Sequence, residues 1–142
     1  MDIFWTVFGT IISGLIVYIF SQIITEFVIK PHKAYKKLKR NILYSLTYYS
    51  NMLTNPFVIH GETVPKDFSA YYESEYPKMS EELRKLGSEM STYKKRNSTK
   101  IYHELIGLSN STWEYSKQSF NTIQENRNAI QTIRRLLNAK EI

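Results

Sequence analysis

His103-Glu104 opens the way a zinc-hydrolase helix does. In such helices a His, a neighbouring Glu and a second His four residues on place two imidazoles and a base on one face. Position 107 is Gly, so the second imidazole is missing and the pair cannot hold a metal in that way. The other histidines, His32 and His60, stand far from it with no ligand spacing among the three. Cysteine is absent, which excludes a disulfide scaffold, a thiolate zinc site, a Cys nucleophile and thiol redox chemistry. The glycines at 9, 14, 61, 87 and 107 form no phosphate-binding loop, and no Gly-x-Ser-x-Gly elbow exists. Neighbouring carboxylates, Glu73/Glu75 and Glu81/Glu82, lie in charged helical surroundings and read as solvated. The residue types therefore predict no enzyme, no metal, no cofactor and no small-molecule substrate. One polar cluster remains, Gly107, Ser109, Asn110 and Ser111. It reads as a helix end, with Asn in a left-handed cap and Ser111 or Thr112 capping the next helix. Its alternative reading is a small-residue notch where another helix or a ligand approaches closely.

The elements that carry these residues are set by how apolar side chains and charge are distributed. Ile3 to Thr25 is an uncharged run of mostly Ile, Val, Phe and Leu. As a helix it spans about 34 Å, enough to cross a hydrocarbon core of roughly 30 Å. It has no basic n-region and no small-residue cleavage site, and it is too long for a signal-peptide core, so a transmembrane helix is predicted. One flank carries only Asp2. The other carries Lys30, Lys33, Lys36, Lys37, Lys39 and Arg40 with no acid among them. The positive-inside rule then predicts the N-terminus outside and the rest in the cytoplasm, with the collar on anionic lipid head groups. Trp5 and Tyr35 fit aromatic interface belts, and the sequons at Asn97 and Asn110 are incidental on the cytoplasmic side.

The net charge of +6 resolves into the same picture. Residues 30–40 account for all of it, because the other positions hold 13 basic and 13 acidic residues. A nucleic-acid partner is thus not expected, although a pI near 9.4 taken alone suggests one.

Two features of the span go beyond anchoring. Thr6, Thr10 and Gly14, with Gly9 and Ser13, form small-xxx-small ridges that permit helix association or simply face lipid. Tyr18, Gln22, Glu26 and Lys30 lie at i, i+4 steps as one polar stripe. Glu26 and Lys30 read as an interfacial ion pair, whereas Gln22 at membrane depth calls for a partner helix.

Beyond Pro31, which either kinks a continuous helix or opens a new one, the periodicity stays helical. Leu38, Ile42, Leu46, Tyr49 and Leu53 mark a helix from about 32 to 54. Phe68, Tyr72, Tyr76, Met79, Leu83, Leu86, Met90 and Tyr93 form a heptad-like seam. Pro77 places the start of its strong helix there, with a less regular turn before and an end near 94. Ile101, Leu105 and Leu108 open a third helix, and Phe120, Ile123, Ile130, Ile133 and Leu137 mark a last one over 119–139. The predicted fold is all-α: an N-terminal transmembrane helix followed by a three- to four-helix antiparallel bundle. The predicted organisation is an anchor at 1–29, a basic juxtamembrane segment running into the first bundle helix at 30–54, a loop at 55–65 and the remaining helical domain at 66–142.

The apolar N-terminal span, the proline just inside it and the runs Ile42-Leu43-Tyr44-Ser45-Leu46 and Ser80-Glu81-Glu82-Leu83-Arg84-Lys85-Leu86 form one layout. With Leu105-Ile106-Gly107-Leu108-Ser109-Asn110-Ser111 and a C-terminal helix bearing Asn126, Arg127, Ile130 and Leu137, it resembles a family of small bacterial single-pass membrane proteins. The chain departs from that family at Lys30, where an acid precedes the proline, and lacks a middle insert. The resemblance implies a bacterial anchored protein with a helical cytoplasmic domain, and no activity. The function expected is a non-enzymatic, single-pass protein of the bacterial inner membrane that binds an unknown protein partner or itself at the cytoplasmic face. The alternative is an oligomeric membrane-acting effector or channel component, for example in phage defence, with Gln22 lining its centre.

Overall fold

The computed structural model describes residues 2–54, 66–111 and 120–138. Helix is the only regular structure among them, and no strand occurs among the described residues. The chain divides into two units, Met1–Lys37 and Leu38–Ile142.

The first unit is built on α1 (Asp2–Ile24), continued by a π-helical turn, Thr25–Ile29, that leads into α2 (Lys30–Tyr48). Every large apolar side chain from Ile3 to Ile29 is exposed, with Ile3 at 82% and Phe27 at 77%. Keeping side chains of this kind out of water is worth about 1.5–3 kcal/mol each, so α1 is unstable as a free surface. It is long and apolar enough to cross a membrane. Pro31 neither ends the helix nor opens a separate one. It lacks an N–H, and its ring crowds the carbonyl four residues back. The turn before it is widened instead, with the Lys30 N–H bonding the Thr25 carbonyl five residues earlier. A π-turn of this kind takes in the proline without breaking the helix.

The second unit contains α2 from Leu38 onward, α3 (Ser50–Thr54), α4 (Lys66–Ser91), α5 (Ser98–Ser109) and α6 (Phe120–Asn138). Only Tyr49 separates α2 from α3, and its backbone still bonds Ser45 behind and Leu53 ahead. The two therefore form the helix to 54 that the periodicity predicts. Bonds between elements fix the arrangement. Ser45 and Tyr49 at the α2 end reach Glu82 of α4. Ser80 of α4 donates to the Ser109 carbonyl at 2.8 Å, and Arg84 reaches Asn110 at 2.9 Å. On the remaining side Asn126 of α6 donates to the Leu53 carbonyl at 3.0 Å, and α5 packs along α6. Helices α2, α4, α5 and α6 thus close a ring of alternating direction, a four-helix antiparallel bundle.

Its core is the seam read from the sequence. Ile42, Leu46 and Leu53 face Met79, Leu83 and Met90, with Ile101, Leu105, Leu108 and Ile133 completing it, all fully buried. Helix α4 differs from expectation, because it begins at Lys66 and passes through Pro77. An interior proline costs about 3 kcal/mol. Buried Met79, Leu83, Leu86 and Met90 on one side of it and half-buried Tyr72 and Tyr76 on the other outweigh that cost.

Candidate functional site

Two surfaces carry the residues that the sequence singles out. The first belongs to α1 and the start of α2. Thr10 donates its hydroxyl to the Thr6 carbonyl at 2.9 Å, and Ser13 to the Thr10 carbonyl at 2.9 Å. These hydroxyls therefore add no unpaired polar atom to the ridge, and open space surrounds Gly9 and Gly14. Gln22 donates its amide to the Tyr18 hydroxyl at 3.0 Å, one helical turn away. This bond within the stripe engages one of the two N–H donors of the Gln22 amide. Glu26 and Lys30 form the expected ion pair, both side chains being substantially exposed. Phe4, Trp5 and Phe8 cluster at the far end with ring centroids 6.0–6.2 Å apart.

Of the collar, Lys30, Lys33, Lys36, Lys37 and Arg40 are exposed and Lys39 is half-buried. At 3.6 residues per turn, Lys33, Lys36, Lys37 and Arg40 fall within about 100° of arc on α2. Tyr35, Leu38 and Ile42 occupy the opposite arc and are buried. Tyr35 is only 4% exposed, so its ring packs within the protein where the sequence places it in an aromatic interface belt.

The second surface lies between α2 and α4. Glu82, expected on a solvated face, is half-buried and accepts hydrogen bonds from Ser45 Oγ and from Tyr49 Oη, the latter at 3.1 Å. Burial, with the Glu82 carboxylate beside it, pushes the Tyr49 phenol up to about 12. A cleft of about 480 Å³ opens here, lined by Asn41, Tyr44, Glu82, Lys85 and Glu89 among others. Outside α1 and its π-turn, the large apolar side chains exposed among the described residues are Tyr44, Tyr48 and Tyr71. Tyr44 and Tyr48 stack on α2 with centroids 6.1 Å apart and planes at 17°. Sequence periodicity misses this surface because Glu82 looks like any helix-surface acid until Ser45, 37 residues away, is placed against it. The buried small hydroxyl within the Leu-rich face of α2 is the one signal that points to it.

The cluster at the end of α5 is a helix terminus. Asn110 caps α5 with φ −96° and ψ −4°, in the right-handed region and not the left-handed one, and its N–H reaches the Ile106 and Gly107 carbonyls. The Ser109 carbonyl receives Ser80, and Ser111 Oγ donates to the Leu108 carbonyl at 2.7 Å. Gly107 is exposed, with nothing within 4 Å of where a Cβ would stand. The close approach of α4 to α5 is at Gly87, whose Cβ position is 3.5 Å from Leu105 and Ile106. His32 and His103 are both exposed, on α2 and α5; His60 lies outside the described residues. Among the described residues no three His, Asp or Glu side chains come together as a metal site.

No family model, curated protein or solved structure matches the chain, so the likeness carried by the Leu105 to Ser111 run assigns no family.

Proposed function

We propose that the chain is a non-enzymatic, single-pass protein of the bacterial inner membrane, N-terminus outside, whose cytoplasmic helical bundle binds a protein partner or a second copy. One observation carries the reading. A helix exposing every large apolar side chain from Ile3 to Ile29 runs directly into an exposed, acid-free basic arc. Bilayer contact removes the exposure, and anionic head groups attract the arc by about 1 kcal/mol per Lys or Arg near the surface. By the positive-inside rule the basic flank favours the cytoplasmic side. The α2–α4 face supports the binding role, since exposed tyrosines beside a cleft are the residue type and shape that interface centres favour.

The rival reading is an oligomeric membrane effector with Gln22 at its centre, where the Gln22 amide keeps hydrogen-bonding capacity beyond its bond to Tyr18. Replacing all six collar residues by Gln tests the leading one. Fusion reporters at the C-terminus should then report mixed or inverted orientation; unchanged orientation contradicts the collar's role. Oligomers in detergent together with dye leakage on expression would favour the rival.

A further inference from the structure

The connector between α4 and α5 is a second acid-free basic segment. Between Glu89 and Glu104 the chain carries Lys94, Lys95, Arg96 and Lys100 and no acid. All four are exposed, on the connector and the first turn of α5. Backbone bonds fix the turn, with the Tyr93 N–H reaching the Met90 carbonyl at 3.2 Å and the Ser98 N–H the Lys95 carbonyl at 3.0 Å. Met90, Ser98 and Ile101, all buried, tie both its ends to the core. Asn97 makes no side-chain cap bond and the first turn of α5 holds no acid, so the positive end of that helix adds to the bases. The antiparallel register then decides where the connector lies. Ser45 of α2 bonds Glu82 of α4, and the later residues Tyr48 and Tyr49 lie within reach of the charges of the earlier Lys78 and Glu75. In the other direction Asn41 lines the cleft with Leu86 and Glu89. The end of α4, and the connector that follows it, therefore stand at the end of the bundle that begins with Leu38.

We propose that the α4–α5 connector docks on an anionic phospholipid surface, so that the bundle is held to the membrane at a point distinct from α1. Leu38 follows Ile29, the last residue of the π-turn, by nine residues, at most about 32 Å of fully extended chain. The end of the bundle that carries Leu38 is thus the end tethered closest to the bilayer. The opposite end, at Thr54, lies 16 residues further on, about 24 Å along a helix. A head-group plane presents many phosphates to Lys and Arg without demanding one fixed geometry, which suits four long side chains on a turn. It also belongs to a membrane that the chain already occupies. Docking there is an intramolecular step at the effective concentration set by a short tether, whereas a soluble polyanion has to be captured from solution.

This inference rests on the membrane-anchored reading, and the test separates the two. The chain has no cysteine, so one introduced thiol places one fluorescent label. Full-length Thr99→Cys and Gln124→Cys, both at exposed positions, are labelled and reconstituted into vesicles whose lipids carry a nitroxide quencher at the head group. Thr99 adjoins the bases, whereas Gln124 stands at the opposite end of the bundle, two residues from the Asn126 that bonds Leu53. In vesicles containing phosphatidylglycerol the Thr99 label should be quenched and the Gln124 label should not. In phosphatidylcholine alone neither should be. Adding Lys94→Gln, Arg96→Gln and Lys100→Gln should lower the docked-to-free ratio about a hundredfold, about fivefold for each charge near an anionic surface. Lys94→Arg, Arg96→Lys and Lys100→Arg together should keep it. A Thr99 label that is unquenched with phosphatidylglycerol, quenched equally in both lipids, or indifferent to the triple Gln variant overturns the proposal. So does a Gln124 label quenched as strongly, or displacement of the Thr99 label by a DNA duplex, which assigns the connector to nucleic acid. Flotation of the vesicles in alkaline carbonate reports anchoring separately. Protein left behind overturns the membrane reading, whereas retained protein with an unquenched Thr99 label overturns this inference alone.

Discussion

Tyr49 donates its phenolic hydrogen to Glu82 of α4 at 3.1 Å, and Ser45 donates to the same carboxylate from one turn earlier. Two neutral hydroxyls thus hold a half-buried anion at the seam between helices that are distant in sequence. Glu82→Ala leaves Ser45, 1% exposed, and Tyr49, 5% exposed, without their acceptor. The expected cost is about 1–3 kcal/mol. Glu82→Gln, which keeps one carbonyl oxygen, should lose less. Thermal unfolding in detergent measures both, and an unchanged midpoint for Glu82→Ala contradicts a structural role for the trio.

The same contact sets a pH dependence. The Tyr49 phenol ionises near 12 in the folded protein against 10.0 for a free phenol. Its stabilisation is complete below pH 10 and falls away between pH 10 and 12, because the unfolded chain releases the proton first. Burial raises Tyr72 and Tyr76 as well, so the alkaline loss is shared. Tyr49→Phe should remove one part of it, seen as a shallower decline of the melting midpoint above pH 10. Absorbance titration should show one fewer late-ionising phenol.

Gly87 sits inside α4 where α5 comes closest, yet its Cβ position meets Leu105 and Ile106 only at 3.5 Å, an ordinary contact. Gly87→Ala should therefore stabilise by about 0.5–1 kcal/mol through reduced backbone entropy in the unfolded chain. Gly87→Leu should destabilise by about 1–3 kcal/mol through overpacking. The same sign for both in thermal unfolding contradicts the geometry.

Two buried polar side chains should behave oppositely. Asn126 is 5% exposed and donates to the Leu53 carbonyl at 3.0 Å, so Asn126→Ala should cost about 1–3 kcal/mol. Ser98 is 1% exposed and its Oγ has no hydrogen-bond partner among the described residues. Ser98→Ala should be neutral or stabilising by up to about 1 kcal/mol, since it removes an unsatisfied hydroxyl. Parallel unfolding curves for the two variants decide it.

The helices are legible in the sequence to the extent that a single periodicity governs each. The spacing of Leu38, Ile42, Leu46 and Leu53 identifies the buried face of the first bundle helix, because an amphipathic helix in water has only one way to hide it. Pro77 misleads for the complementary reason: a local breaker says nothing of the tertiary burial that overrides it. Tyr35 misleads because an aromatic ring near a basic collar satisfies the interface pattern and the core pattern equally, and only the fold distinguishes them. Glu82 is misread through its partner. Ser45 lies in another helix, invisible to spacing, whereas the Tyr18–Gln22 bond joins residues four apart that the stripe already places together.

The central claim is that α1 crosses the membrane and leaves the bundle in the cytoplasm, and thiol accessibility tests it most directly. Lys100 is exposed on α5. In the Lys100→Cys variant that remains in the membrane after carbonate washing, a membrane-impermeant maleimide should label the thiol only once the cells have been permeabilised. Labelling in intact cells, or loss of the protein from the washed membranes, contradicts the claim.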